Sequence, residues 1–435
     1  MTSLLGRIDV WGLLKPILES DLGVIVIALG GFILAKKGFL SRESQKTISN
    51  LNVYFFTPCL VFEKVGNGLN LKMLIDLSLL PLFYVIITTI SVLVSYVMSR
   101  MFRLTRRQRN FATACIAFQN SNSLPLALVT SLANTVESLK WDKIPDDNAE
   151  KVASRGIMYL LIFSQLGQAL RWSYGYRILL SPNQPHDEED YDQLWDRRTA
   201  NEDEIENLLT PNEHDDYGQL NLPSSSGFSQ SLNAQASTED IEFKDSKLKK
   251  AIVLLLDFFS PPLYSLFVAL FIAVVPPLQR FFFEPGSFVE ASVTSGIRMV
   301  GDVAVPLILV VLGASLATDI TKTEGSEQPT KIDDTRVLTV SLLGRMVVVP
   351  MVILPIFSLL SYFSEISTVD DPVFVVVIFL LVGSPTAIQL TQICQLNGVF
   401  ERECAKVLWW SYAIFTPPNS LILAFTSLLV VDWTK

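Results

Sequence analysis

Imidazole is nearly absent from this chain. Its 435 residues include two histidines, His186 and His214, and both lie in a polar stretch away from the apolar runs. A membrane body without histidine has no imidazole to shuttle protons or hold a metal, which argues against most intramembrane enzyme chemistries. Cysteine is scarce too. Cys59, Cys115, Cys394 and Cys404 fall in or beside apolar runs, with neither metal-ligand nor disulfide spacing, and read as small buried hydrophobes. No metal, no cofactor and no enzyme activity are expected. No nucleic-acid partner is expected either. The first apolar run has no small-residue cleavage site behind it, so it reads as a retained helix.

Apolar residues, by contrast, are abundant. Half the chain is hydrophobic and the mean hydropathy is +0.39, and the excess comes in long runs. Roughly 20 apolar residues cross a bilayer. By that measure ten spans are expected, at 15–35, 45–66, 73–99, 109–134, 155–180, 248–278, 288–318, 336–362, 372–396 and 403–431. They group as five, a polar loop, then five. The fold class is therefore all-α integral membrane, divided into 1–182, 183–247 and 248–435. Residues 183–245 hold 17 acidic and 3 basic side chains, a net of −14, and are expected to be disordered and solvated. The loop offers serines and threonines for phosphorylation, but no single site stands out.

Lysine and arginine near the span ends set orientation. Lys36, Lys37, Arg42 and Lys46 follow span 1; Arg100, Arg103, Arg106, Arg107 and Arg109 follow span 3; Lys244, Lys247, Lys249 and Lys250 close the loop. This side is expected to be cytosolic, with both termini lumenal or exterior.

Five spans per half invert the second half relative to the first, and the halves echo each other. Pro58 in "YFFTPCLVF" of span 2 and Pro306 in "GDVAVPLILVVLGASL" of span 7 sit mid-span. Span 4 ("FQNSNSLPLALVTSL") and span 9 ("LLVGSPTAIQLTQICQL") each set a polar cluster beside a proline, Pro125 and Pro385. Interrupted spans at matching positions point to a transporter of two inverted repeats with its site at their interface.

Proline frees the carbonyl four residues back, that of Ser121 for Pro125 and of Leu381 for Pro385. Such groups are tolerated only inside protein or at a water-filled cavity. Gln119, Asn120, Ser121, Asn122 and Ser123 of span 4 fit that place, as do Ser384, Thr386, Gln389, Thr391 and Gln392 of span 9. Two broken helices are expected to cross near the midplane, where the N-termini of the second half-helices attract an anion. Neither cluster contains Lys or Arg, so a carboxylate would be held by neutral donors. The competing explanation is that these side chains tie helices together at ~1–2 kcal/mol per bond. That accounts for a single serine better than for five polar residues in a row.

Further intramembrane charges are Arg298 and Asp302 in span 7 and Arg345 in span 8. A charge at this depth is costly. Arg298 and Asp302, at i,i+4, would pair with each other; a coupling or gating role for the three is the alternative. Glu19, Asp21, Glu63 and Lys64 read as interfacial, and Tyr159 and Gln165 of span 5 as cavity-lining.

The stretch "QNSNSLPLALV" resembles the Asn-x-x-x-Leu-Pro stretch of the PIN-like branch of the auxin efflux carrier family. The "VP" and "LGASL" of span 7 are similar to that family's span 7. "SPTAIQLTQICQLNGVFERECAKVLWWSYA" resembles its Pro, Thr/Gln and Glu-Cys…Trp-x-Tyr pattern. The resemblance covers about 1–180 and 248–435 and suggests a fungal or other non-plant member. It implies a sodium/proton-antiporter or bile-acid-transporter-like fold, with spans 1, 2, 6 and 7 as scaffold and spans 3–5 and 8–10 as a mobile crossover domain. It also implies elevator-type transport of indole-3-acetate or similar organic anions across a lipid bilayer, a homodimer through the scaffold, and the endoplasmic reticulum membrane. The plasma or vacuolar membrane is the alternative location. Asn120 matches the family's anion-contacting asparagine, and Pro125 and Pro385 its crossover prolines. Gln119 departs from a frequent glycine, and Gln389 stands where an asparagine is looked for.

Three other readings compete. An ion-coupled symporter on the same fold needs a cation site, for which Asp302 is the central candidate. An intramembrane aspartyl protease would use Asp257 and Asp302, but Met299, Val300 and Gly301 precede Asp302 where Gly-x-Gly-Asp is required. A non-transporting sensor would leave the polar crossover without a purpose.

Overall fold

The computed structural model describes residues 10–69, 71–121, 123–144, 146–182, 260–318, 331–363 and 367–434. The acidic loop, Asp257 and the start of span 6 lie outside them. The described residues belong to one compact unit drawn from 1–184 and 259–435. They are helical, apart from a single antiparallel bridge between Gln119 and Thr386.

In the first half the helices are Val10–Lys36; 42–68, with a π turn at Asn52–Phe56; Leu80–Met101; the pair Arg106–Ala117 and Ser123–Thr135; and 149–179, which widens into a π segment at Arg171–Leu179. In the second half Pro261–Val274 turns by 107° into Pro276–Phe283. Then come 290–318, kinked at Val303; 331–363, with a π turn at Gly344–Val348; the pair Pro372–Val382 and Leu390–Asn397; and 401–434, with a π turn at Ser411–Phe415.

Among the described residues five helices are long and apolar enough to cross a membrane, or six if the bent pair counts as one span. The other expected spans fall short for visible reasons. Helix 42–68 contains Asn50, Asn52, Glu63 and Lys64; helix 149–179 contains Arg155, Gln165 and Gln168; spans 4 and 9 are divided.

The helix ends are written locally. Thr105 and Gln108 form a capping box before Arg106–Ala117. Asp371 accepts from the Val373 N–H at 3.0 Å, with Pro372 as the first helical residue of its half-helix. Gly398, at φ +64°, closes Leu390–Asn397.

Large apolar side chains point outward, among them Val26, Val85, Val97, Leu359 and Met351, the last 71% exposed, while Arg171, Arg345, Gln165 and Gln392 are buried. That is the reverse of a water-soluble protein and suits helices solvated by lipid. Helices Val10–Lys36 and Ala304–Thr318 meet backbone to backbone. A Cβ on Gly313 would stand 1.7 Å from the Ala28 carbonyl oxygen, and one on Gly31 2.0 Å from that of Val310. Only glycine permits this approach, the small-residue packing of membrane helices.

Candidate substrate site at the helix crossover

Spans 4 and 9 both break in the middle. The chain leaves helix at Phe118, resumes it at Ser123, and in the second half leaves after Val382 and resumes at Leu390. The two extended stretches pair antiparallel. The Asn120 N–H donates to the Pro385 carbonyl at 2.8 Å, and the Ala387 N–H to the Phe118 carbonyl at 2.9 Å. Each break thereby satisfies backbone groups of the other, in a place where an unpaired group costs several kcal/mol.

The side chains do two jobs, and Asn120 shares in both. One set holds the crossover together: Thr386 Oγ1 donates to the Cys115 carbonyl at 2.9 Å, Ser384 Oγ to the Leu381 carbonyl at 2.8 Å, and Asn419 Nδ2 to the Gly383 carbonyl at 2.8 Å. Asn120 Nδ2 donates to the Tyr412 hydroxyl at 2.6 Å, which in turn donates to the Thr386 carbonyl at 3.3 Å.

Arg345 is the centre of this set. It is 0% exposed. Its Nε donates to the Ser384 carbonyl at 2.9 Å, Nη2 to the Leu381 carbonyl at 2.9 Å, and Nη1 to the Ile116 carbonyl at 3.1 Å. Gln119 Oε1 and Ser384 Oγ lie at 3.5 Å. One guanidinium therefore caps the C-terminal ends of both first half-helices, where carbonyls are orphaned and the dipole is negative. The Leu381 carbonyl expected to be freed by Pro385 is among those it takes.

The other set faces a cavity of about 510 Å³. Asn120, Ser121, Gln165, Gln168, Arg171 and Gln389 supply its polar wall on the crossover side, Glu63, Lys64, Asn67 and Ser164 further polar groups, and Leu126, Ile157, Leu160, Val305 and Ile308 much of the apolar wall. This mix and size suit a small organic ligand. Arg171 is 2% exposed. Its Nε donates to Gln389 Oε1 at 2.9 Å and its Nη1 to the Gln119 carbonyl at 3.3 Å, while Gln389 Nε2 donates to Gln168 Oε1 at 3.1 Å. No carboxylate pairs with Arg171 or Arg345 among the described residues. Ser121 Oγ and Gln165 Oε1 are buried without a hydrogen-bond partner. The cavity touches the N-terminal ends of both second half-helices, at Ser121 and at Ile388 and Gln389.

The expectation of a neutral cradle is thus corrected. The two polar clusters contain no cation, but spans 5 and 8 bring one each to the crossover. A signal for Arg171 was present in the sequence: Gln165, Gln168 and Arg171 recur every three residues in an apolar span, which puts them on one helix face.

Other expected positions fall differently. Asn122 lies outside the described residues, and Ser123 begins its half-helix. Thr391 Oγ1 and the Gln392 amide are buried without partners. Arg298 pairs with Glu63 at 3.4 Å and Glu290 at 3.7 Å, not with Asp302, which is exposed. Asp21, read as interfacial, is buried.

Tyr159 does not line the cavity; its hydroxyl donates to Asp371 at 2.7 Å. Asp371 also receives Arg155 at 3.0 Å, and Arg155 forks onto both oxygens of Asp147 at 2.9 Å. Burial opposes ionisation of Asp147, but hydrogen bonds from Arg155 and the Trp141 amide outweigh it and hold the carboxyl below its usual range.

The membrane transport protein family matches residues 16–423. An uncharacterised transporter of Schizosaccharomyces pombe is 72% identical, covering 100% of this chain and 99% of its own. An uncharacterised transporter of Saccharomyces cerevisiae is 39% identical, covering 96% of both. The protein PIN-LIKES 3 of Arabidopsis thaliana is 22% identical over 92% of this chain and 93% of its own. With a family match spanning nearly the whole described bundle, the chain belongs to the membrane transport protein family, a family of transporters rather than enzymes, and is a PIN-like member of it.

Proposed function

We propose that this transporter carries organic anions, above all aromatic carboxylates of the indole-3-acetate kind, bound in the crossover cavity and moved by elevator-type alternating access. The observation that carries this reading is Arg171: a buried cation without a carboxylate partner at the cavity wall, where the one carboxylate, Glu63, is already paired with Lys64 and Arg298 and the rest of the lining is amides, hydroxyls and apolar side chains. An anion placed there would meet Arg171, Asn120, Gln389 and two half-helix N-termini, while the leucine and isoleucine walls take an apolar body.

Matched irregularities support two inverted five-helix repeats within a ten-span fold. The fourth span of each half is broken, and the fifth carries a π segment, at Arg171–Leu179 and Ser411–Phe415. In this reading spans 1, 2, 6 and 7 form the scaffold, through which two copies join as a homodimer; spans 3–5 and 8–10 carry the substrate. The endoplasmic reticulum membrane, with termini lumenal and the acidic loop cytosolic, is the location in which we place it.

The test is flux of a panel of labelled organic anions in proteoliposomes, comparing the natural chain with Asn120→Ala. Saturable carboxylate flux that the folded variant loses is the expected result. Undiminished flux in Asn120→Ala counts against the site.

A further inference from the structure

Asp21 lies near the middle of helix Val10–Lys36, 2% exposed, and neither of its carboxylate oxygens has a hydrogen-bond partner. The charged residues nearest in sequence do not serve it: Lys15 and Glu19 are exposed and pair with each other at 3.8 Å. The helix packs on Ala304–Thr318, Ser123–Thr135, Thr416–Thr434 and the π turn Ser411–Phe415. The first two contain no titratable side chain. Asp432 of the third is exposed near its end. Tyr412 is the titratable side chain of the fourth. The Tyr412 hydroxyl joins Asn120 to the Thr386 carbonyl, so a turn packed on the helix of Asp21 is itself part of the crossover.

An ionised carboxylate with no donor on either oxygen is an uncompensated charge in the membrane interior. A proton removes that charge without further ligands. A hard metal cation takes about six oxygens, and no group of three His, Cys, Asp or Glu side chains able to hold one occurs among the described residues. We propose that Asp21 is a proton-binding site, loaded and unloaded as the crossover helices move. Its link to transport rests on the carrier reading above. There, Val10–Lys36 belongs to the fixed scaffold, whereas Ser123–Thr135 and the Tyr412 turn belong to the moving part. Displacing them strips the cover from Asp21 and lets it exchange a proton with water, one O–H bond forming or breaking. The cation candidate named from sequence, Asp302, is exposed instead.

The site is tested on the full-length protein in liposomes by infrared difference titration of the carboxylic C=O stretch. A protonated-carboxyl band at neutral pH should be lost in Asp21→Asn, kept in Glu19→Gln and kept with a shift in Asp21→Glu. A spectrum unchanged by Asp21→Asn overturns the site, whatever the protein transports. The coupling is read from uptake of labelled indole-3-acetate under an imposed pH gradient. Stimulation by the gradient should fall to the ungraded rate in Asp21→Asn and persist in Asp21→Glu. Stimulation that survives Asp21→Asn overturns the coupling. No uptake by the natural chain overturns the carrier reading and the coupling with it, and the infrared band still decides the site.

Discussion

Arg171 and Arg345 are both buried guanidinium groups bonded to neutral oxygens, yet their surroundings give them different tasks. Arg345 is enclosed by the carbonyls of Ile116, Leu381 and Ser384. Removing it takes the donor from the buried Ile116 and Ser384 carbonyls, at about 1–3 kcal/mol each, while the Leu381 carbonyl keeps Ser384 Oγ. Arg345→Ala is therefore expected to unfold at a markedly lower temperature in detergent, or not to assemble, as followed by fluorescence-detected size exclusion. Arg171 opens onto the cavity. Arg171→Gln should keep its fold, because the amide still donates toward Gln389. It should lose a charge-assisted contact to the anion of about 1.5–3 kcal/mol, roughly ten- to a hundredfold in affinity, measurable by radioligand binding. The polar clusters beside Pro125 and Pro385 were legible in the sequence because their chemistry is local. The place of the arginines at the crossover was not: Arg345 stood out only as an intramembrane charge and Arg171 only by its register with Gln165 and Gln168, and only tertiary packing puts Ile116, Gln119, Arg171, Arg345 and Ser384 together.

At the scale of the element, irregular helix is where the bundle places its polar side chains. Asn52 opens one π turn and donates to the Ala304 carbonyl at 2.8 Å; Arg171, Arg345 and Tyr412 lie in three others. A π turn adds a residue to one helical turn and re-aims what it carries, a frequent device at functional sites. The broken spans could be read from proline and polar residues, whereas nothing in the sequence marked the π turns. The ion-pair knot at the far end of the bundle also went unread, since Asp147, Arg155 and Asp371 belong to three separate segments. That knot ties the loop before helix 149–179 to the start of Pro372–Val382. Arg155→Ala leaves Asp371 and Asp147 without their cation and is expected to cost about 3–5 kcal/mol of stability, seen as a lower midpoint in thermal unfolding of the reconstituted protein.

For the whole molecule, the cavity and a set of polar contacts between the two groups of spans lie toward opposite ends of helix 42–68. The cavity meets Leu60, Glu63, Lys64 and Asn67 near the C-terminal end. Near the other end Ser49 donates to Gln395, whose amide donates to Ser315 at 2.9 Å; Ser315 donates to Gln45 at 3.2 Å, and Arg42 meets Glu401 at 3.4 Å. These contacts join spans 2 and 7 to spans 9 and 10, the two groups that slide past each other in the elevator reading. Direct placement of an anion is the most immediate measure of the account. A brominated indole carboxylate, bound to the full-length protein and located by its anomalous scattering, should lie with its carboxylate between Arg171, Asn120 and Gln389 and its ring against Ile157 and Ile308. Bromine found outside this cavity, or occupancy unchanged in Arg171→Gln, would contradict it.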